Sequence, residues 1–193
     1  NLYRQTEPHG GFSLLLDWIA RYDLGSFVVT SNVDGQFQKA GFTPDSLLEV
    51  HGSIHHLQCL SPCCHDIWSN QAEFIIDHAS MRATRAPACP SCGGVARPNI
   101  LMFGDFSWLS DRTAEQEESF RQFMDEFREK KLVVIEMGAG SAIPTIRHLS
   151  ESLGSQRGVD VIRINPREPQ IGRGHFSFSV GALEGLERLA IHL

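Results

Sequence analysis

Along residues 12–22 the apolar side chains fall at Leu14, Leu15, Trp18, Ile19 and Tyr22, the spacing of one face of a helix. Gly25 breaks that pattern, and Ser26-Phe27-Val28-Val29-Thr30 reads as a short buried strand. Its carboxyl end opens into the polar loop Ser31-Asn32-Val33-Asp34-Gly35. Residues 113–130 predict a long charged helix with Phe120, Phe123, Met124 and Phe127 on one face. Residues 131–137 form a second strand-like run, followed by Gly138-Ala139-Gly140-Ser141. Residues 144–153 predict a helix with Pro144 in its first turn. Residues 159–164 predict a third strand, closed by Asn165-Pro166, and residues 181–193 a terminal helix. Short strands alternating with helices imply an α/β fold built on a parallel sheet. Ligands of such sheets bind outside the carboxyl ends of the strands, where the 32–34 loop, the 138–141 loop and Asn165 all lie.

Residues 54–97 interrupt the alternation. They show little strand character and contain every cysteine, so they read as an inserted module. Five cysteines confined to one stretch point to a metal site more than to a disulfide framework. Cys89-Pro90-Ser91-Cys92 is a knuckle in which two thiolates can reach one tetrahedral zinc, with Gly93-Gly94 to relieve the turn. The other pair starts at Cys59 and ends at Cys63 or Cys64; zinc–sulfur geometry tolerates both spacings. A short helix over residues 71–78 could fill the gap between the pairs. Four thiolates would leave no open position, so the zinc would be structural. Buried free thiols are the plainer alternative, and His65 is a further candidate ligand.

Charge narrows the partners. The 193 residues carry 17 Lys+Arg against 23 Asp+Glu, a formal net charge of −6. An acidic chain lacks the field that neutralises phosphates, which disfavours a direct nucleic-acid partner, a zinc-ribbon binder included. No apolar run approaches the length of a membrane span, and no basic-then-apolar leader opens the chain. These features predict a cytoplasmic protein with no membrane partner; its oligomeric state is not legible.

Taken singly, the remaining motifs are ordinary. Asn32 and Asp34 are common turn residues. Gly138 to Ser141 suit either an anion-binding loop or any tight strand–helix turn. His51 stands between a strand-like run and Gly52, and His55 and His56 read as alternating residues of an exposed strand.

Their order is more specific. Ser31-Asn32-Val33-Asp34-Gly35, Ala40-Gly41, Glu49-Val50-His51-Gly52-Ser53, the cysteine module, Arg97-Pro98-Asn99-Ile100-Leu101-Met102-Phe103-Gly104-Asp105, Gly138-Ala139-Gly140-Ser141 and Ile164-Asn165 follow one another in a sequence that resembles the sirtuin family. The resemblance implies a Rossmann-type domain (1–53 and 98–193) with helices on both faces and an inserted zinc module (54–97). It implies an NAD-dependent protein-lysine deacylase that transfers the acyl group of a protein or peptide lysine to ADP-ribose and releases nicotinamide. By position, His51 is the base that deprotonates a ribose hydroxyl, a role suited to imidazole. Ser31, Asn32 and Asp34 match the nicotinamide and ribose pocket, with Asn32 and Asp34 also counted in the catalytic set. Gly138, Ala139, Gly140 and Ser141 match the ribose–phosphate loop, and Asn165 the adenosine end. Cys59, Cys63, Cys89 and Cys92 match the zinc ligands. Phe103, Gly104 and Asp105 look like a strand that pairs with an extended substrate peptide.

The chain departs from the family pattern in several places. Ser31 stands where Gln is usual, the phosphate loop is Gly-Ala-Gly-Ser, the first cysteine pair is wide, and Asp105 replaces Glu. These departures suggest a divergent bacterial branch. The family's opening strand, phosphate loop and Asp-Phe-Arg segment do not precede His51, so the first part of the fold is expected to be missing. NAD hydrolysis, ADP-ribosyl transfer, or non-catalytic binding of NAD, ADP-ribose or protein remain alternatives on the same fold.

Overall fold

A computed structural model describes residues 2–80 and 82–191. In chain order the helices and strands are α1 (Leu2–Gln5), α2 (Gly10–Tyr22), β1 (Val28–Thr30), α3 (Gln36–Ala40), β2 (Leu47–Glu49), β3 (Gly52–Cys59), β4 (Ile67–Ser69), β5 (Ile76–Asp77), β6 (Arg82–Ala83), β7 (Ala96–Ile100), α4 (Asp111–Glu126), β8 (Leu132–Met137), α5 (Thr145–Gly154), β9 (Val159–Ile164), β10 (Phe176–Phe178) and α6 (Ala182–Ala190). Two compact units emerge. The first comprises residues 1–7 and 30–119, the second residues 8–29 and 120–193. Among the described residues no helix is long and apolar enough to cross a membrane.

The second unit carries the parallel sheet, in the order β10-β9-β8. Strands β8 and β9 form where the apolar runs are. Val161 and Ile164 are fully buried. Helix α5 packs on β8 and β9, and α2 packs on α6. His9 caps α2, its Nδ1 accepting from Gly11 N at 3.1 Å. Phe120, Phe27, Phe123 and Phe127 form an aromatic chain with successive centroids 4.6–5.5 Å apart. A charged pair lies inside this apolar frame. Arg163 and Glu136 are opposite each other across β8 and β9 and bond at 2.6 and 2.8 Å with almost no exposure. Ser150 also donates to Glu136, and Glu151 accepts from Arg163 at 2.9 Å.

The first unit differs from expectation. Residues 54–97 were expected to hold little strand, yet β3 to β7 run through them, with an antiparallel sheet in the order β4-β3-β7. Polar side chains are what disguise these strands. Gln58 and Asn99 are completely buried and bonded to each other, although Asn99 Oδ1 has no partner among the described residues. Asn99 Nδ2 donates to Gln58 Oε1 at 2.9 Å and to Leu109 O at 2.8 Å, while Gln58 Nε2 donates to Ser107 O at 2.7 Å. The helix expected over residues 71–78 is absent; Ile76–Asp77 form β5 instead, paired antiparallel with β6. Asp77 decides this locally by accepting from Ala79 N at 3.0 Å and Ser80 Oγ at 2.6 Å, turn chemistry that competes with helix. In the second unit, Pro144 is the N-cap of α5 and not part of its first turn. The terminal helix is described to Ala190, and residues 192–193 of the expected helix lie outside the described residues.

Candidate functional site

His51 sits in the tight turn between β2 and β3, and several neighbouring backbone groups are tied down. Glu49, two residues earlier, is 1% exposed. Its carboxylate accepts from Arg112, its carbonyl from Thr113 Oγ1 at 3.3 Å, and its N–H donates to Gln116 Oε1 at 3.1 Å. Val50 N donates to Thr30 O at 3.0 Å, and His51 O accepts from Leu101 N at 3.0 Å. Gly52 follows with φ +78°, and a Cβ there would lie 2.1 Å from Asn99 O. Only glycine allows β3 to start this close to β7. The half-buried imidazole of His51 is thus carried on a fixed turn.

The 31–35 loop is anchored to the same strand. Ile54 N donates to Val33 O at 2.9 Å, and His55 Nε2 meets Asp34 O at 2.9 Å. Asp34 Oδ1 accepts from Gln36 N at 3.1 Å and shapes the entry into α3. Asn32 is exposed and Ser31 partly so. His55 and His56 do lie on a strand, but both are half-buried. His55 holds the loop, and burial followed by the nearby Arg112 charge lowers the His56 pKa. Asn32, Asp34 and His51 are therefore assembled on one framework within the first unit.

Gly138 to Ser141 and Asn165 belong to the second unit and converge there. Asn165 Nδ2 donates to Ala139 O at 3.0 Å, and Gly138 N donates to Ile164 O at 3.0 Å. Glu168, which the sequence did not single out, lies on the loop: Ser141 N and Oγ donate to its carboxylate at 2.7 and 2.9 Å. These bonds pull the Glu168 pKa down, the Ser141 hydroxyl contributing most. Arg147 braces the loop from α5 through Ala139 O and Glu168 O at 3.2 Å each. A loop whose N–H and hydroxyl already accommodate a carboxylate, ahead of a helix N-terminus, suits the phosphates or hydroxyls of a dinucleotide.

The cysteine cluster is closed. Sulfurs of Cys59, Cys63, Cys89 and Cys92 all lie within 4.8 Å of one another. Cys59–Cys92 and Cys63–Cys89 are each 3.7 Å apart. Four sulfurs at zinc bonds of about 2.3 Å form a tetrahedron with edges of about 3.8 Å, so the spacing fits. Cys64 lies outside the set, 3.2 Å from Asp66 Oδ2, and His65 is exposed beside Asp111 at 3.5 Å. The knuckle closes through Gly93 N to Cys89 O at 2.9 Å. Backbone N–H groups of Cys92 and then Ser91 lower the Cys89 thiol to about 7, favouring the thiolate a metal takes.

The 103–105 segment is not a strand. Residues 102–105 form a turn closed by Asp105 N to Met102 O at 3.1 Å, with Gly104 at φ +68°. Asp105 is drawn inward by Arg97 at 2.6 Å, which leaves Phe103 90% exposed.

A family model described as the Sir2 family matches residues 2–139. The chain belongs to the Sir2 family. It is 27% identical over 191 residues to NAD-dependent protein deacylase 2 of Corynebacterium efficiens, covering 98% of this chain and 69% of the relative. It is 30% identical over 159 residues to NAD-dependent protein deacylase 1 of Caldanaerobacter subterraneus subsp. tengcongensis, covering 81% of this chain and 57% of the relative. In fold it is similar to the crystal structure of a Sir2 homolog–NAD complex, with a TM-score of 0.68 at 20% identity over 98% of this chain and 66% of that one. The fold is thus the Rossmann-like α/β fold of Sir2 proteins, with a cysteine cluster suited to zinc. Sequence reasoning missed Glu49, Arg112, His55 and Glu168. Glu49 alone carried a signal, through its place two residues before His51.

Proposed function

We propose that this chain carries the larger part of an NAD-dependent protein-lysine deacylase, with the acylated lysine of a protein or peptide as substrate. The observation that supports this best is His51 on its pinned turn, in a member of the Sir2 family. When bound, NAD supplies the ribose carbon that exchanges nicotinamide for the acyl oxygen of the substrate. Ser31, Asn32 and Asp34 hold the nicotinamide and ribose end in this reading. Gly138, Ala139, Gly140, Ser141 and Asn165 hold the phosphates and adenosine. His51 takes the proton from a ribose hydroxyl, and its fixed backbone spares it any reorganisation. The exposed Phe103 turn, with Gly104 and Asp105, meets the peptide. Cys59, Cys63, Cys89 and Cys92 hold a structural zinc, a role that needs reduced thiols and so suits the cytoplasm.

The test is mass spectrometry of NAD reactions with and without an acetyl-lysine peptide. The expected product is O-acetyl-ADP-ribose, formed only with peptide. His51→Ala should lower turnover by about 100- to 10,000-fold, the usual contribution of a general base, with the fold kept. Free ADP-ribose formed equally without peptide would overturn the reading in favour of NAD hydrolysis.

A further inference from the structure

A cavity of about 620 Å³ opens in the cysteine-bearing part of the first unit, between β4, residues 70–75 and residues 84–88. Leu57 on β3 and Trp68 on β4 are cross-strand partners, so they point to one side of the sheet, and both line it. Its other walls are tied to each other and to the sheet. Thr84 N and Oγ1 donate to Ile75 O at 2.9 and 3.2 Å, and Pro87 O accepts from Ala96 N of β7 at 2.8 Å. The space is therefore preformed, as small-molecule sites usually are. Asn70 brings an unmet polar atom to it. This residue is 7% exposed and lines the cavity, and its Oδ1 has no hydrogen-bond partner among the described residues. Proteins leave few such atoms, because each loses its bonds to water without replacement. The other polar atoms of Asn70 are committed: N donates to His55 O at 2.7 Å, Nδ2 donates to Ile54 O at 2.9 Å, and O accepts from Arg4 Nη2. The bond to Ile54 O also fixes the orientation of the amide, since only its nitrogen can donate.

The lining defines the ligand. Asn70 Oδ1 requires a donor. Leu57, Trp68, Phe74 and Pro87 supply apolar and aromatic surface, which suits a flat ring. Glu73 and Arg85 also line the cavity, one charge of each sign, so neither an anion nor a cation is favoured. A ring N–H is a donor with no lone pair of its own to leave unpaired against an apolar wall, whereas a hydroxyl carries two. The geometry points to an uncharged aromatic compound with a ring N–H, of the indole class, as the ligand of this cavity, its N–H donating to Asn70 Oδ1. Ser31, Asn32, Asp34 and His51 do not line the cavity, and the inference does not rest on the deacylase reading.

The experiment titrates the full chain with indole and with N-methylindole, which keeps the ring and lacks the N–H, and follows the Asn70 side-chain amide and Trp68 indole signals by NMR. Indole should bind with a dissociation constant of about 1 mM or tighter and move both signals; N-methylindole should bind roughly tenfold more weakly, the effect of one lost hydrogen bond. Asn70→Ser removes the carbonyl oxygen and keeps a group able to donate to Ile54 O. It should weaken indole roughly tenfold and leave N-methylindole as in the parent. Equal binding of the two compounds to the parent would overturn the inference. An unmoved Asn70 signal up to about 10 mM indole would do the same, with water alone meeting Oδ1. So would a folded Asn70→Ser that binds indole like the parent. If Asn70→Ser does not fold, the comparison of the two compounds on the parent chain decides alone.

Discussion

Replacing Gly52 by alanine tests whether the turn that carries His51 is fixed by close backbone approach. The new Cβ would lie 2.1 Å from Asn99 O and 3.0 Å from its carbonyl carbon. Asn99 cannot retreat easily, since it is fully buried and its side chain is bonded to Gln58 and Leu109. The pairing of Ser53 with Asn99 and of Gly52 with Ile100 holds the backbone as well. A left-handed backbone costs a residue with a side chain about 1–2 kcal/mol. Forcing an extra carbon into a packed interior costs about 1–3 kcal/mol more. Gly52→Ala should therefore lose about 2–5 kcal/mol. Gly104 supplies the control in the same unit: its φ is +68°, but nothing lies within 4 Å of an added Cβ. Gly104→Ala should lose only the backbone part, about 1–2 kcal/mol. Urea denaturation followed by circular dichroism measures both. If the two variants proved equally stable, the close approach of β3 to β7 would not be what makes Gly52 necessary.

Metal content follows from the sulfur geometry: purified chain should hold one zinc by elemental analysis, Cys63→Ser or Cys89→Ser should lose it, and Cys64→Ser should keep it. Loss of zinc from Cys64→Ser with retention in Cys63→Ser would reverse the assignment. The Arg97 guanidinium beside Asp105, helped by Ser107 N–H, holds the Asp105 carboxyl below the usual carboxylate range. A carboxylate depressed in the folded state stabilises above its unfolded pKa and loses that contribution as pH falls through the folded value. The 97–107 segment should therefore loosen only in acid, and Arg97→Gln should move the Asp105 titration upward in a carboxyl NMR series; an unmoved titration would refute the pairing. In the second unit, Arg163→Met strands the Glu136 carboxylate and should cost about 3–5 kcal/mol, whereas the double change with Glu136→Leu should recover most of it. A single-variant loss under about 1 kcal/mol by the same denaturation assay would show that the pair is not closed to water.

The elements that could be read from the sequence are those built on a continuous apolar run or an apolar helix face, even though β8 and β9 also bury Glu136 and Arg163. Strands β8 and β9 consist of runs such as Leu132-Val133-Val134-Ile135, and the helices α2 and α4 show their faces at helical spacing. The strands that could not be read bury polar groups without such a run beside them. Gln58, Asn99 and Ser53 are completely buried and Glu49 nearly so. Each counts as a surface residue when hydropathy alone is weighed, and each becomes a core residue only once its partner is supplied. Those partners are distant: Gln58 and Asn99 are separated by 41 positions, Glu49 and Arg112 by 63. No local pattern contains that information. The inward pull on Asp105, which turns a segment expected to be a strand into a turn, comes from Arg97, eight positions earlier.

The candidate site divides along the same line. The four cysteines were legible because chemistry restricts which residue can stand there, since few side chains ligate zinc with sulfur, whereas His51, Asn32 and Asp34 stand out only by their order along the chain. The groups around them are restricted by shape and can be supplied from anywhere in the fold. Glu49 needs any donor able to neutralise it in a buried position, and α4 happens to provide Arg112. Ser141 offers an N–H and a hydroxyl, and Glu168, 27 positions on, accepts from both. The order of the motif positions along the chain is what carried the family resemblance. The supporting positions depend on three-dimensional closure, so they become visible only when the strands and helices are assembled. The unmet Oδ1 of Asn70 is of this supporting kind, because an unpaired buried atom can be recognised only after every available partner has been placed.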